Sequence, residues 1–192
     1  MRKALRVTFS LLAAFLVQST VLPYFKAGGV LLDLVTVALF TAGYALGPYA
    51  GVTAGLFAAL LMESLTGDLG GLAAVACVAS GAVGAWAAAR LKRYVRPGNR
   101  LKERIVKQFG PMVLIGLFVM GKESVNVVYF YLTGVDVSFV HAFRVVFAGC
   151  WAALWSLLLI PALVRFLLRK PEETFVAKWA AKRRARVKPE PA

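Results

Sequence analysis

The sequence predicts an all-α integral membrane protein whose six transmembrane helices form one bundle. Hydrophobic residues make up 60% of its 192 residues, whereas ordinary soluble domains are about 45–50% apolar, and the mean hydropathy is +0.73. Several apolar runs approach or exceed the roughly 18–20 residues that an α-helix needs to cross a bilayer. The positive charges flank these runs, as is typical of the cytoplasmic loops of membrane proteins.

Six segments of the chain fit this prediction, and prolines, glycines and charges set their boundaries. The first segment ends at Pro23 and the second at Gly47-Pro48, because proline cannot continue a helix. Very short turns join segments two, three and four, which predicts a series of antiparallel helices. The six segments are Leu5–Leu22, Val30–Leu46, Tyr49–Leu65, Leu69–Ala89, Phe109–Leu132 and Phe139–Leu163.

The basic residues predict the orientation of the bundle. Of the 23 Lys and Arg residues, eight lie between positions 90 and 107, nine between 165 and 188, and three in the first six residues. An even number of spans then places both termini and the 90–108 loop in the cytoplasm. We therefore divide the chain into a transmembrane domain, 1–168, and a basic cytoplasmic tail, 169–192. The charge does not favour nucleic acid, because the basic segments lack interleaved aromatic residues and a folded domain.

The tail leaves two interpretations open. Residues 172–186 would form a basic amphipathic helix lying on anionic lipid, which attracts each basic residue by about 1 kcal/mol near the membrane surface. Alternatively, the tail is disordered and serves only to fix the topology.

Two stripes of small residues, each with a four-residue repeat, predict a close contact between segments three and four. The stripes are Gly51, Gly55 and Ala59 in the third segment, and Ala73, Cys77, Gly81 and Ala85 in the fourth. Small residues let helix backbones approach in a membrane, so we expect these faces to meet. Glu63 is the next member of the first stripe and is expected to point toward helix packing.

Charged residues inside the apolar segments are the candidate site residues. Glu63 and Arg144 lie in the same layer near the outer ends of their segments, so we expect either an ion pair or two side chains that each reach the interface. Lys122, Glu123 and Asn126 share one face of segment five, where a central charge costs about 2.5–3.5 kcal/mol on insertion scales. They form either a polar interior site or partner-binding face, or a self-neutralising pair that fixes helix packing.

Three stretches together resemble the bacterial rod shape-determining MreD family. They are "LVQSTVLPYF", "GGVLLDLVTVALF" and "ALLMESLTGDLGG". The second keeps the family's aspartate as Asp33, with Leu32 in place of a proline. In the third, Glu63 stands for the family's aspartate, and Gly67 and Gly71 match its turn. The resemblance covers segments one to four, whereas segments five and six match only in hydropathy.

The resemblance implies a non-enzymatic membrane scaffold without a cofactor, in the bacterial inner membrane. Its implied partners are the bitopic protein MreC and the assembly of MreB, RodA and a class B transpeptidase, which together maintain cell shape through peptidoglycan synthesis. The implied fold is similar to the substrate-binding subunits of energy-coupling-factor transporters. The alternative is therefore a small-solute-binding membrane subunit, with Glu123, Asn126 and Tyr129 lining a pocket.

Overall fold

The computed structural model contains helices and turns but no strand over the residues that it describes, which are 2–24, 32–66, 71–94, 100–134, 136 and 138–168. Six α-helices and one short 3₁₀ turn, Leu22–Tyr24, follow one another along the chain. The α-helices are α1 Arg2–Thr20, α2 Leu34–Leu46, α3 Pro48–Thr66, α4 Leu72–Tyr94, α5 Arg100–Leu132 and α6 Phe139–Leu168. The all-α prediction is thus confirmed, while the tail and Gly67 lie outside the described residues.

Helix α2 is the centre of the bundle and contacts each of the other five helices. Nine consecutive residues, 35–43, are buried, because a helix that is apolar on every side is stable only when it is surrounded. One side of α2 packs with α1, α3 and α4, and the other side, through Val37 and Phe40, packs with α5 and α6. The start of α2 therefore lies where several helices meet.

Close backbone contact holds α2, α3 and α4 together. A Cβ atom built on Gly51 would lie 2.5 Å from the carbonyl oxygen of Gly81 and 2.8 Å from Cα of Gly43. A Cβ on Gly55 would lie 2.7 Å from the carbonyl oxygen of Cys77. The structure thus brings the small-residue stripes of α3 and α4 into contact, and it adds a glycine of α2 to the same contact.

Four helices of the described chain are long and apolar enough to cross a membrane, with spans at 4–24, 73–93, 108–132 and 139–168. The chain is a multi-span membrane protein, whereas the predicted count of six spans is not confirmed. Helix α2 is an apolar helix of 13 residues, or about 20 Å at 1.5 Å per residue, and is shorter than the roughly 30 Å hydrocarbon core. Helices α5 and α6 are longer than the predicted segments. Helix α5 begins at Arg100, before the predicted start at Phe109, and α6 ends at Leu168, beyond the predicted end at Leu163.

Candidate functional site

A charged cavity lies where the end of α1 and the start of α2 meet α5 and α6. Its volume is about 170 Å³. Five of its nine lining residues are polar or charged, which is unusual inside an apolar bundle. The lining residues are Gln18, Leu32, Asp33, Val119, Lys122, Glu123, Arg144, Ala148 and Ala152.

Asp33 is the N-cap residue of α2. Its Oδ1 atom accepts a hydrogen bond from the backbone N–H of Thr36 at 3.0 Å, and its Oδ2 atom accepts one from the Thr36 hydroxyl at 2.5 Å. A capping carboxylate satisfies a backbone donor that the helix leaves unpaired, and its negative charge is favourable at a helix N-terminus. The cap therefore fixes the carboxylate at the wall of the cavity.

Gln18 of α1 completes the cap of α2. Its side-chain oxygen accepts a hydrogen bond from the backbone N–H of Val35 at 3.0 Å. With Asp33 on Thr36 and Gln18 on Val35, the second and third backbone donors of α2 both have acceptors. Because the Gln18 oxygen is used in this way, its amide NH₂ group stays available to the cavity, with no acceptor among the described residues.

An ion pair between Asp33 and Lys122 joins α2 to α5 across one side of the cavity. The side chains of Lys122 and Asp33 are 23% and 19% exposed, respectively. A charge on a membrane helix must find a partner or water, and Lys122 finds its partner in Asp33. Its ion-pair partner is Asp33 of another helix. The adjacent Glu123, which the self-neutralising alternative paired with Lys122, interacts with it only at longer range.

Glu123 and Arg144 line the same cavity without such a partner. Glu123 lies on α5 and is half-buried, and Arg144 lies on α6 and is exposed. Within the described part of the chain, neither side chain takes part in a hydrogen bond or an ion pair. The cavity therefore contains one satisfied pair of opposite charges and one additional charge of each sign.

The structure does not bring Glu63 and Arg144 together. Helices α3 and α6 make no contact over their described residues, because α2 and α4 lie against α3 while α6 packs on α5, α2 and α1. Glu63 and Arg144 were predicted at the same depth in the membrane, but they lie on different sides of the bundle. The predicted ion pair between them is therefore corrected. Glu63 is half-buried on α3, away from the cavity.

The remaining predicted site residues lie outside the cavity. Asn126 is half-buried one turn beyond Lys122 on α5, without a hydrogen bond to another described residue. Gly51 and Gly55 belong to the α3–α4 contact, and Gly71 is exposed in the turn before α4. The sequence reasoning brought Lys122, Glu123, Arg144 and Asp33 forward separately, but it did not predict that they line one cavity.

The sequence reasoning also missed the site role of Gln18. A polar residue two positions before the end of an apolar helix is a weak signal by itself. A shared depth in the membrane strengthens this signal, since Gln18, Asp33 and Arg144 all lie near segment ends on the same side of the predicted membrane. The sequence-based prediction compared the depths of Glu63 and Arg144 only.

Among the described residues, no group of three or more His, Cys, Asp and Glu side chains is placed to hold a metal ion. No curated protein and no solved structure matches the chain. A family model described as 5TMR of 5TMR-LYT matches residues 2–147, more than three quarters of the chain.

The match corrects the resemblance to MreD, which is wrong. The features that carried the resemblance have local causes: Gln18 and Asp33 cap α2, and Gly71 lies in the turn that precedes α4. Such caps and turns recur wherever short connections join apolar helices. The matched residues include the whole of α1–α5, the start of α6 and every charged residue of the cavity. The chain belongs to the five-transmembrane-helix family 5TMR of 5TMR-LYT.

Proposed function

We propose that the chain is a non-enzymatic, sensor-like membrane module that binds a small polar solute in the cavity at the start of α2. The observation that carries this proposal is that two charged side chains of opposite sign, Glu123 and Arg144, line a cavity in an apolar bundle without a hydrogen bond or an ion pair to another described residue. Charges in a membrane helix are costly, and they commonly mark a pathway or a ligand site. Membership of a five-transmembrane-helix family supports a sensor-like role.

The construction of the cavity favours recognition of a ligand. Asp33 and Gln18 are held by hydrogen bonds to the backbone or side chains of α2, and Lys122 is held by Asp33. Preorganised polar groups bind a ligand without a further cost of ordering. A ligand at Glu123 and Arg144 would connect α5 to α6, while the Asp33–Lys122 pair already connects α5 to the central helix. We therefore expect occupancy of the cavity to be coupled to the packing of α2, as a sensor requires.

The sequence-based predictions of partners remain predictions. They are a scaffold that binds MreC, contacts with MreB, RodA and a class B transpeptidase, and anionic lipid at the basic segments. No finding tests them, and those that rested on the resemblance to MreD have lost that support. Of the two predicted functions we retain the alternative, small-solute binding, without the predicted role as a transporter subunit. The prediction that both termini lie in the cytoplasm rests on the distribution of Lys and Arg, whereas the bacterial inner membrane was implied by the resemblance to MreD and has lost that support.

A thermal-shift screen of the purified full-length chain in detergent tests the binding role. The panel contains small solutes of four charge classes, namely propionate, ethylamine, L-alanine and propanediol. Ala148 is buried in the wall of the cavity, so Ala148→Leu fills part of the space. Ala142→Leu, at an exposed position on the same helix, is the matched control.

We expect at least one solute to stabilise the wild type and the control, but not the filled variant. A ligand at 100 times its Kd stabilises a protein by about 2.7 kcal/mol. At about 2–4 °C per kcal/mol for a chain of this size, the melting temperature should rise by roughly 5–10 °C. The proposal fails if no solute of any class stabilises the wild type, or if Ala148→Leu responds as the wild type does.

A further inference from the structure

The charges of the cavity define the class of ligand more narrowly. Resting on the proposed function, we propose that the cavity selects a small zwitterion, of the size of L-alanine, whose carboxylate binds Arg144 and whose ammonium group binds Glu123. Both side chains line the cavity from neighbouring helices, α5 and α6. The two ends of one such ligand would therefore meet opposite charges across the space.

Charge balance favours a ligand with no net charge. The lining contains two negative groups, Asp33 and Glu123, and two positive groups, Lys122 and Arg144, so the cavity as a whole is neutral. A monoanion would pair with Arg144 and leave Glu123 without a ligand partner, and a monocation would do the reverse. An unpaired charge taken from water costs several kcal/mol. A zwitterion satisfies both groups and leaves the Asp33–Lys122 pair intact.

The chemistry of the unpaired groups fixes the orientation of the ligand. The guanidinium of Arg144 presents planar donors that match a carboxylate in a bidentate manner. The carboxylate of Glu123 only accepts hydrogen bonds when ionised, which suits an ammonium group with three donors. The amide NH₂ of Gln18, which also lines the cavity, is a further donor for a carboxylate.

The volume limits the size of the ligand. Drug-sized ligands occupy pockets of about 300–1,000 Å³, whereas this cavity has about 170 Å³. At about 30 Å³ for each water molecule, the space corresponds to roughly six molecules of water. L-Alanine has six non-hydrogen atoms and is of this size, so we expect it to be preferred over amino acids with long or aromatic side chains.

Binding of radiolabelled L-alanine to the full-length chain in phosphatidylglycerol nanodiscs tests this proposal. Propionate lacks the ammonium group of L-alanine, and ethylamine lacks its carboxylate. Because a hydrogen bond to a charged group contributes to binding affinity, we expect each truncated compound to compete about 10- to 100-fold more weakly than unlabelled L-alanine. L-Tryptophan, which carries both charges but exceeds the volume, should compete weakly as well.

Two variants assign the two ends of the ligand. Arg144→Gln should weaken L-alanine and propionate by about 10-fold or more and leave ethylamine unchanged. Glu123→Gln should weaken L-alanine and ethylamine and leave propionate unchanged. The matched controls are Arg165→Gln, an exposed arginine on the same helix, and Glu63→Gln, a half-buried glutamate on α3. Both controls should bind L-alanine as the wild type does.

The ethanolamine headgroup of a phospholipid has the same combination of an anionic and an ammonium group. Nanodiscs that contain phosphatidylethanolamine distinguish this source from a free amino acid. Unchanged binding of L-alanine in these nanodiscs supports a soluble ligand, and weaker binding that depends on Glu123 and Arg144 supports the headgroup as the zwitterion.

Two results would overturn the proposal. If propionate or ethylamine binds as tightly as L-alanine, the ligand is a simple ion, and the proposed binding function stands while the zwitterion does not. If both glutamine variants bind L-alanine like the wild type, the two charges do not recognise it. By contrast, failure of every solute in the thermal-shift screen removes the proposed function itself. Size-exclusion chromatography of each variant confirms that the binding comparison uses folded protein.

Discussion

Removal of the Asp33–Lys122 ion pair gives the most direct test of how the bundle is held together. Asp33→Asn keeps a residue that caps a helix well but removes the negative charge, and it leaves Lys122 of α5 without its ionic partner. Lys122→Met removes the positive charge and retains a long apolar side chain. The double variant removes both charges and leaves neither group unpaired.

The expected magnitude follows from burial. Breaking a fully buried pair by removing one partner costs about 3–5 kcal/mol. Here the cavity leaves about a fifth of each side chain exposed, so water offsets part of that cost. We expect Asp33→Asn to lower the free energy of unfolding by about 2–3 kcal/mol. Lys122→Met should lower it by about 1–2 kcal/mol, because Thr36 still donates two hydrogen bonds to Asp33. The double variant should lose only about 1 kcal/mol, since an apolar replacement of both partners is often close to neutral.

Unfolding in mixed micelles with increasing SDS, followed by the fluorescence of the four tryptophans, measures these differences. Asp136→Asn is the control, because Asp136 is exposed outside the helices, and it should change stability by no more than about 0.5 kcal/mol. A double variant that loses the sum of the two single losses, within about 0.5 kcal/mol, would refute the coupling.

Three further predictions concern the packing, the cap and the orientation. Gly81→Ala places a Cβ against the backbone of Gly51 and should lower the free energy of unfolding by more than about 2 kcal/mol in the same assay. Its control, Gly121→Ala, adds a Cβ with no atom within 4 Å and should be neutral or stabilising. Equal effects of the two substitutions would contradict the contact between Gly81 and Gly51. Gln18→Leu removes the acceptor of the Val35 N–H and should cost about 1–3 kcal/mol, whereas Ser19→Ala, at an exposed position of the same helix, should cost less than about 0.5 kcal/mol. Green fluorescent protein fused to the carboxyl terminus should fluoresce and alkaline phosphatase at the same place should be inactive, and the reverse pattern would disprove the predicted orientation.

The position of each charged residue along its apolar segment was predictable, but its partner was not. The positions of Arg144 and Asp33 near the ends of apolar segments follow from counting residues along each segment. That count also gave Glu63 the same layer as Arg144, and it offered no way to choose between Glu63 and the residues of the cavity. The structure decided the choice, because α3 and α6 lie on different sides of the bundle.

The local signals account for the elements that the sequence predicted correctly. The break between α2 and α3 falls at Gly47, where φ is +96°, and Pro48 then occupies the first position of α3, where proline needs no N–H donor. The small residues of α3 and α4 predicted their close contact, because side-chain size limits how near two backbones approach. The predicted start of α5, Phe109, lies after the observed start at Arg100. The first turns of this helix are basic, and hydropathy does not detect a polar helix.

The sequence predicts a membrane-embedded helical chain, the approximate limits of its helices and the contact between α3 and α4. These properties depend on the length of apolar runs, on glycine and proline, and on side-chain size within a few turns. Only the tertiary structure decided that α2 is central and that Asp33 pairs with Lys122, 89 residues away. The physical reason is that lipid-facing and helix-facing surfaces are both apolar in a membrane protein. Hydropathy therefore sets the depth of a residue, but the packing of the helices decides which residues meet at that depth.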